Sequence, residues 1–172
     1  MSNRPSNDEY STFAEQYVKL VPEGDIQEIL ARLLTETTAL FSALSEDRAE
    51  YRYAPGKWSL KQVLGHLADN ERIMSYRLLR IARGDRTPLA GYDENALMSG
   101  ASFDDFPLSV TLEDYATARR ATLALLRGLP DEAWKRIGLV NERESSARAW
   151  AYIIAGHEMH HLNVVRERYL NE

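Results

Sequence analysis

The segment GHEMHHLNVV, Gly156 to Val165, places His157, Glu158 and His161 in the order H-E-x-x-H. On a helix that order sets two imidazoles one turn apart with a carboxylate beside them. Zinc proteases use this arrangement to hold a metal and a general base. The same pair of rings can also serve a different metal site, with Glu158 outside the chemistry. The chain has four histidines and no cysteine, which excludes disulfides, thiolate metal ligands and a cysteine nucleophile. Any metal must therefore be held by imidazole, carboxylate or water.

Where the rings point follows from helix geometry. With His157 at zero and about 100° per residue, His161 falls near +40°, Trp150 near +20°, Val164 near -20° and Ile153 near -40°. Both histidines lie in the apolar stripe of their helix, and His160 falls at its edge, near -60°. Buried imidazoles need partners, because an unsatisfied polar group costs roughly 1–3 kcal/mol. A divalent cation shared at i, i+4 satisfies both. A third ligand is required, and His66 is the remaining histidine. It flanks the core face of an earlier helix, with Asn70 and Ile73 on its side. Three neutral histidines leave a coordination position open, as in catalytic zinc sites.

The protease alternative is weak on three counts. Few residues follow His161, leaving little room for a distant ligand. Val164 stands where the extended protease pattern has a chain-turning glycine, and Glu167, in the register of that pattern's third ligand, points away on a continuous helix. No strand is evident to hold an extended peptide. Glu158 is accordingly expected to be a solvated or supporting carboxylate.

Four helical patterns must position these groups. The first follows Asp25, an N-cap with Glu28 three residues on, and carries Ile26, Ile29, Leu30, Leu33, Leu34, Leu40, Phe41 and Leu44 at helical spacing. In the second, Ser59 and Gln62 form a capping box, Trp58 is placed to staple against Val63, and Gly84 is the stop. The third is expected from about Leu112 to Arg127, with Thr111 as candidate cap and Gly128–Pro130 as terminator. A turn of helix is expected after Asp131. The fourth starts near Ser145 or Ser146 and can reach Tyr169. A short helix is expected around Tyr10, Phe13, Ala14, Tyr17 and Val18. About 27 residues, from Gly84 to Val110, separate the second and third helices, well beyond the usual 2–8 of bundle neighbours. Such a link returns the chain in the same direction, so the expected fold is an all-α four-helix bundle with a crossover, one domain over residues 1–172. The crossover is also a candidate roof for a pocket, with Tyr92 and Asp93 as candidate lining.

Composition narrows the partners. The net charge of -5, with scattered basic residues, disfavours nucleic acid. No apolar run has the roughly 18–20 residues of a membrane helix, and the N-terminus lacks a secretory core segment. A cytoplasmic location is the default expectation.

The stretches KWSLKQVLGHLADNE and AGHEMHHLNVVRERY, together with LVPEGD at Leu20 and RIARGD at Arg80, resemble the DinB/YfiT-like family of bacterial four-helix proteins. The similarity runs from Leu20 to Tyr169. It implies an up-down-down-up bundle, His66, His157 and His161 as ligands of a zinc, nickel or similar divalent ion, and a homodimer. The family includes metal-dependent transferases of low-molecular-weight thiols and members without known activity, and its name does not imply DNA binding. The leading expectation is therefore a metal-dependent transferase or hydrolase acting on a small molecule, with water or a thiol co-substrate activated at the ion. The competing one is a non-catalytic metal-binding or stress-response protein. Asn70, one turn from His66, is a candidate to orient substrate or water. Glu71 and Asp69 are candidates to support a ligand imidazole, and His160 is a further catalytic candidate. The ordinary alternative for each of these is a helix-surface residue.

Overall fold

The structure, a computed structural model, describes residues 4–170. In chain order it contains α1 (Glu15–Val18), α2 (Ile26–Ser42), α3 (Glu46–Ala49), α4 (Leu60–Ala82), α5 (Glu94–Ser99), α6 (Leu108–Arg127), α7 (Asp131–Trp134), a hairpin of β1 (Ile137–Val140) and β2 (Arg143–Ser146), and α8 (Ala147–Val164).

The caps that start the long helices are mostly local. Asp25 accepts from the amides of Gln27 and Glu28 at 2.8 and 3.2 Å, opening α2. At α4, Ser59 Oγ accepts from Gln62 N at 3.0 Å while Gln62 Oε1 accepts from Ser59 N at 3.1 Å, closing the reciprocal box. Ser146 accepts from Ala149 N at 3.0 Å and opens α8. Helix α6 differs from expectation. It begins at Leu108, after Pro107, and Thr111 is buried inside its first turn. Its cap comes from a distance, because Glu46 Oε1 accepts from Leu108 N at 2.9 Å. A carboxylate 62 positions away leaves no mark in the local sequence.

Contacts between named residues set the helix directions. Glu46 also pairs with Lys61 Nζ at 2.8 Å, so the starts of α4 and α6 meet at one carboxylate and these helices run parallel. Arg119 of α6 donates to Leu30 O of α2 at 3.2 Å, while Tyr115 and Thr37 meet at Glu158, so α2 and α6 are antiparallel. His66 of α4 meets His157 of α8, while Arg77 lies against Trp150, so α4 and α8 are antiparallel too. The bundle is therefore up-down-down-up, as the long middle connection requires. Leu30, Leu64, Leu78, Tyr115 and Ile154 are among the side chains that fill its core.

The crossover between α4 and α6 carries α5 and a 3-10 turn, Phe103–Asp105. Gly65 admits that turn against α4. A Cβ there would stand 2.4 Å from the Phe103 ring, well inside contact distance. Ser59 donates to Asp104 at 2.6 Å and fastens the same turn to the start of α4.

The expectation of helices alone misses one element. β1 and β2 pair antiparallel across a two-residue turn, Asn141–Glu142, with both φ values positive, 49° and 62°. That geometry matches the twist of a hairpin. Its strands are four residues each, too short for alternation to stand out, and Asn-Glu is a weaker turn signal than Asn-Gly. The crossover is stitched to this hairpin. Leu89 N donates to Leu139 O at 2.9 Å and Asn141 N donates to Leu89 O at 2.8 Å. Among the described residues no helix is long and apolar enough to cross a membrane.

Candidate metal centre and cavity

Three imidazoles converge between α4 and α8. His66 Nε2 lies 3.1 Å from His157 Nε2 and 3.2 Å from His161 Nε2. Two ligands at a tetrahedral zinc, each about 2.0–2.1 Å from the ion, stand about 3.3 Å apart. The observed separations match that spacing. Proton accounting points the same way. A ring nitrogen offers either one proton or one lone pair, and His66 Nε2 faces two others at once. A cation satisfies all three lone pairs together.

Burial keeps the rings uncharged. It pulls His66 down to about 4. His161 is pulled down to about 3 by burial and by the neighbouring His66 and His160. His157 is held well below the usual range by burial and by its three companion rings. Near neutral pH each presents an unprotonated nitrogen, as metal ligation demands. The donor set therefore fits a divalent cation, and among the described residues no other His, Asp or Glu group is so arranged.

Neighbouring groups fix the rings. Trp58 packs on His66, with ring centroids 4.7 Å apart, and lies parallel to His161 at 6.4 Å. Tyr17 places its edge against His157 at 5.5 Å and against His160 at 5.8 Å. Asn70, buried one turn after His66, sets its carboxamide 3.0 Å from His66 Nδ1. An imidazole that gives Nε2 to a metal carries its proton on Nδ1, so the carboxamide serves this tautomer with its oxygen, rather than the nitrogen placed at 3.0 Å, turned to Nδ1. The hydroxyl of Tyr92, from the crossover, meets the other end of the same carboxamide, and with the oxygen turned to His66 it accepts from the carboxamide NH2. Past His161, α8 widens into a π-turn over Val165–Leu170. The turn carries Tyr169 to Trp58, where its hydroxyl donates to Trp58 O at 2.7 Å.

The other expected residues are placed differently. Glu71 and Glu158 are buried and neither is solvated. Arg119 grips Glu71 through two bonds of 2.8 Å and lies 2.6 Å from Glu158. Thr37 donates to Glu158 at 2.6 Å, and Tyr115 donates to it as well. Both carboxylates are thus committed to a guanidinium and not to the imidazoles. Glu158, the carboxylate of H-E-x-x-H, is a structural anion here and not a base. Asp69 is half-buried near Arg72, at 3.9 Å. His160 is half-buried, its ring 5.2 Å from that of His161, and it stands outside the converging trio.

A cavity of about 570 Å³ opens beside His157. Asn70, Met74 and Arg77 of α4 and Trp150, Ile153 and His157 of α8 form its long walls. Tyr92 and Asp93, the crossover residues expected at a pocket, line it together with Tyr17 of α1 and Asn141 and Arg143 of the hairpin. The sequence reading missed Arg77. It stands eleven residues after His66, about 20° from it in projection, so a wider search of that face would have found it.

Four helices in up-down-down-up order around three convergent imidazoles define a class, the helical bundles with a tri-histidine centre. The chain belongs to the DinB superfamily, whose family model matches residues 24–165. Its fold is similar to that of YfiT from Bacillus subtilis, described as a probable metal-dependent hydrolase with an unusual four-helix bundle topology. That likeness has a TM-score of 0.70 at 20% identity and covers 97% of this chain and 92% of the other. No curated protein matches the chain significantly.

Proposed function

We propose that the protein is a metal-dependent enzyme that acts on a small molecule in the α4–α8 cavity. His66, His157 and His161 hold a divalent cation such as zinc or nickel. The observation that carries this reading is the meeting of three neutral imidazoles, with His66 Nε2 at tetrahedral spacing from both His157 Nε2 and His161 Nε2. The description of YfiT as a probable metal-dependent hydrolase supports it. A cation held by three neutral imidazoles supplies a Lewis acid that lowers the pKa of a bound water or thiol.

The chain's own residues do the rest. Asn70 keeps the proton of His66 on Nδ1 and leaves Nε2 free to ligate. Trp58 packs on His66 and His161, and Tyr17 on His157, which holds the rings in place. Tyr92, from the crossover, meets Asn70 and lines the cavity beside the trio. An ion held by the trio would be open to a substrate's reacting group on the side where His157 lines the cavity.

The test begins with elemental analysis of protein purified without a histidine tag. About one divalent ion per chain is expected, and His66→Ala should weaken binding by more than the roughly 10- to 100-fold that loss of an outer partner costs. Unchanged stoichiometry and affinity in that variant would remove His66 from the centre. Hydrolysis of generic esters and thiol transfer to generic electrophiles are then compared with and without metal. Full metal loading without any metal-dependent rate would instead make the site a holder of metal.

A further inference from the structure

The cavity has a second chemical end. Arg77 of α4 lines it and is only 8% exposed. No carboxylate pairs with it among the described residues. Its guanidinium donates to Ala90 O at 2.8 Å and lies between two rings, 5.2 Å from the Tyr92 centroid and 5.1 Å from that of Trp150. The other buried arginine, Arg119, is held between two glutamates. Beside Arg77, the indole N–H of Trp150 is buried without an acceptor. A buried cation lacking an anion and a donor lacking an acceptor are each costly, and here they adjoin each other in the cavity lining.

Charges at the rim do not compensate. Asp93 caps α5 through the amides of Asn95 and Ala96. Glu94 and Arg143, of opposite sign, are exposed, where solvent screens them.

We propose that the cavity takes an elongated small molecule bearing a carboxylate or phosphate, with its anionic end held by Arg77 beside Trp150 and its reacting end at the histidine trio. The span follows from the helices. Arg77 lies seven residues beyond Asn70 and Trp150 seven before His157, each about 10 Å along its axis. On α4, Arg77 and His66 share one face about 16 Å apart. The substrate is thus a chain or linked-ring molecule about 10 Å long, and a compact anion fills one end alone. Placing its reacting end rests on the metal reading above. The anion end does not.

The experiment therefore has two arms. In the first, the zinc-loaded protein is titrated calorimetrically with suberic acid monohydroxamate, whose hydroxamate seeks the metal, and with its methyl ester. The acid should bind at least about tenfold tighter, the worth of one charge-assisted hydrogen bond, and Arg77→Gln should abolish that advantage. The shorter succinic homologue should show little of it. Equal binding of acid and ester, or an advantage that survives Arg77→Gln, would overturn the proposal. In the second arm, metal-free protein is titrated with suberate and with hexyl phosphate, followed by tryptophan fluorescence. Saturable binding of either, lost in Arg77→Gln and weakened in Trp150→Phe, supports the anion site whatever the metal content, and the tighter probe identifies the carboxylate or phosphate class. No Arg77-dependent response to either refutes it. Should Arg77→Gln fail to fold, Trp150→Phe and Arg77→Lys give the same comparisons. Lys keeps the charge and should retain part of the binding.

Discussion

Gly156 precedes His157 on α8, and its bare Cα faces the backbone of α1. A Cβ at this position would lie 2.0 Å from Tyr17 O, 2.4 Å from Tyr17 C and 2.9 Å from Tyr17 Cα. Separations below 3.0 Å are not tolerated, so Gly156→Ala must push the Tyr17 carbonyl back by at least 1.0 Å, the difference between 3.0 and 2.0 Å. The obstacle is backbone, which cannot rotate aside as a side chain would. Two effects of opposite sign compete. Alanine in a helix interior gains about 1 kcal/mol over glycine. Overpacking costs about 1–3 kcal/mol, and a backbone clash belongs at or above the upper end. The expected net loss is about 2 kcal/mol, or a fall in Tm of about 4–8 °C for a chain of this size. Urea denaturation of the metal-free protein measures it. Gly128→Ala is the control, since its Cβ would find Leu125 O at an ordinary 3.6 Å. If Gly156→Ala is as stable as the parent or more so, helix propensity decides the outcome and the close seating of α1 on α8 is wrong.

The metal-free protein should lose stability in acid. His66 falls from 6.5 to about 4 and His161 to about 3, and His157 lies well below its usual value. Between the unfolded and folded values the unfolded chain binds protons that the folded one refuses. Stability is therefore full above about pH 6.5 and drops as pH falls toward 4, by up to about 4 kcal/mol per pH unit if all three rings take part. Urea midpoints followed across that window should decline steeply, and a flat profile would contradict buried neutral imidazoles. Arg119→Met leaves Glu71 and Glu158 buried without their cation, at a cost of about 3–5 kcal/mol. A loss below about 1 kcal/mol by urea titration would mean that the two carboxylates are not held as described. Asn70→Ala should weaken metal binding about 10- to 100-fold, while Asn70→Asp, which keeps an acceptor for His66 Nδ1, should retain most of it. Chelator competition gives both values, and an unchanged alanine variant would dismiss the role assigned to the carboxamide.

What the sequence shows of this fold is what its local physics controls. The caps at Asp25, Ser59 and Ser146 announce three helix starts within a few residues, and the crossover length alone dictates parallel α4 and α6. The start of α6 stays hidden because its cap, Glu46, arrives from elsewhere in the chain. The hairpin stays hidden because two four-residue strands around Asn141–Glu142 carry no clear period. At the site, a 100° projection places His157 and His161 on one face, and scarcity of histidine nominates His66. The surface alternative left open for Asn70 and Glu71, and the solvated one for Glu158, do not hold, because α4 and α8 are wrapped on nearly every side. Only the position of Arg119 reveals which buried carboxylates are already taken.

The π-turn after His161 gives the end of the chain work that its distance from the cavity conceals. By widening the spiral it delivers Tyr169 to the carbonyl of Trp58, and Trp58 is the lid resting on two of the three imidazoles. The tail is a latch. A protein cut just before Arg166 would keep every histidine and all four long helices, yet its indole would be free to swing away and let water reach the rings from behind.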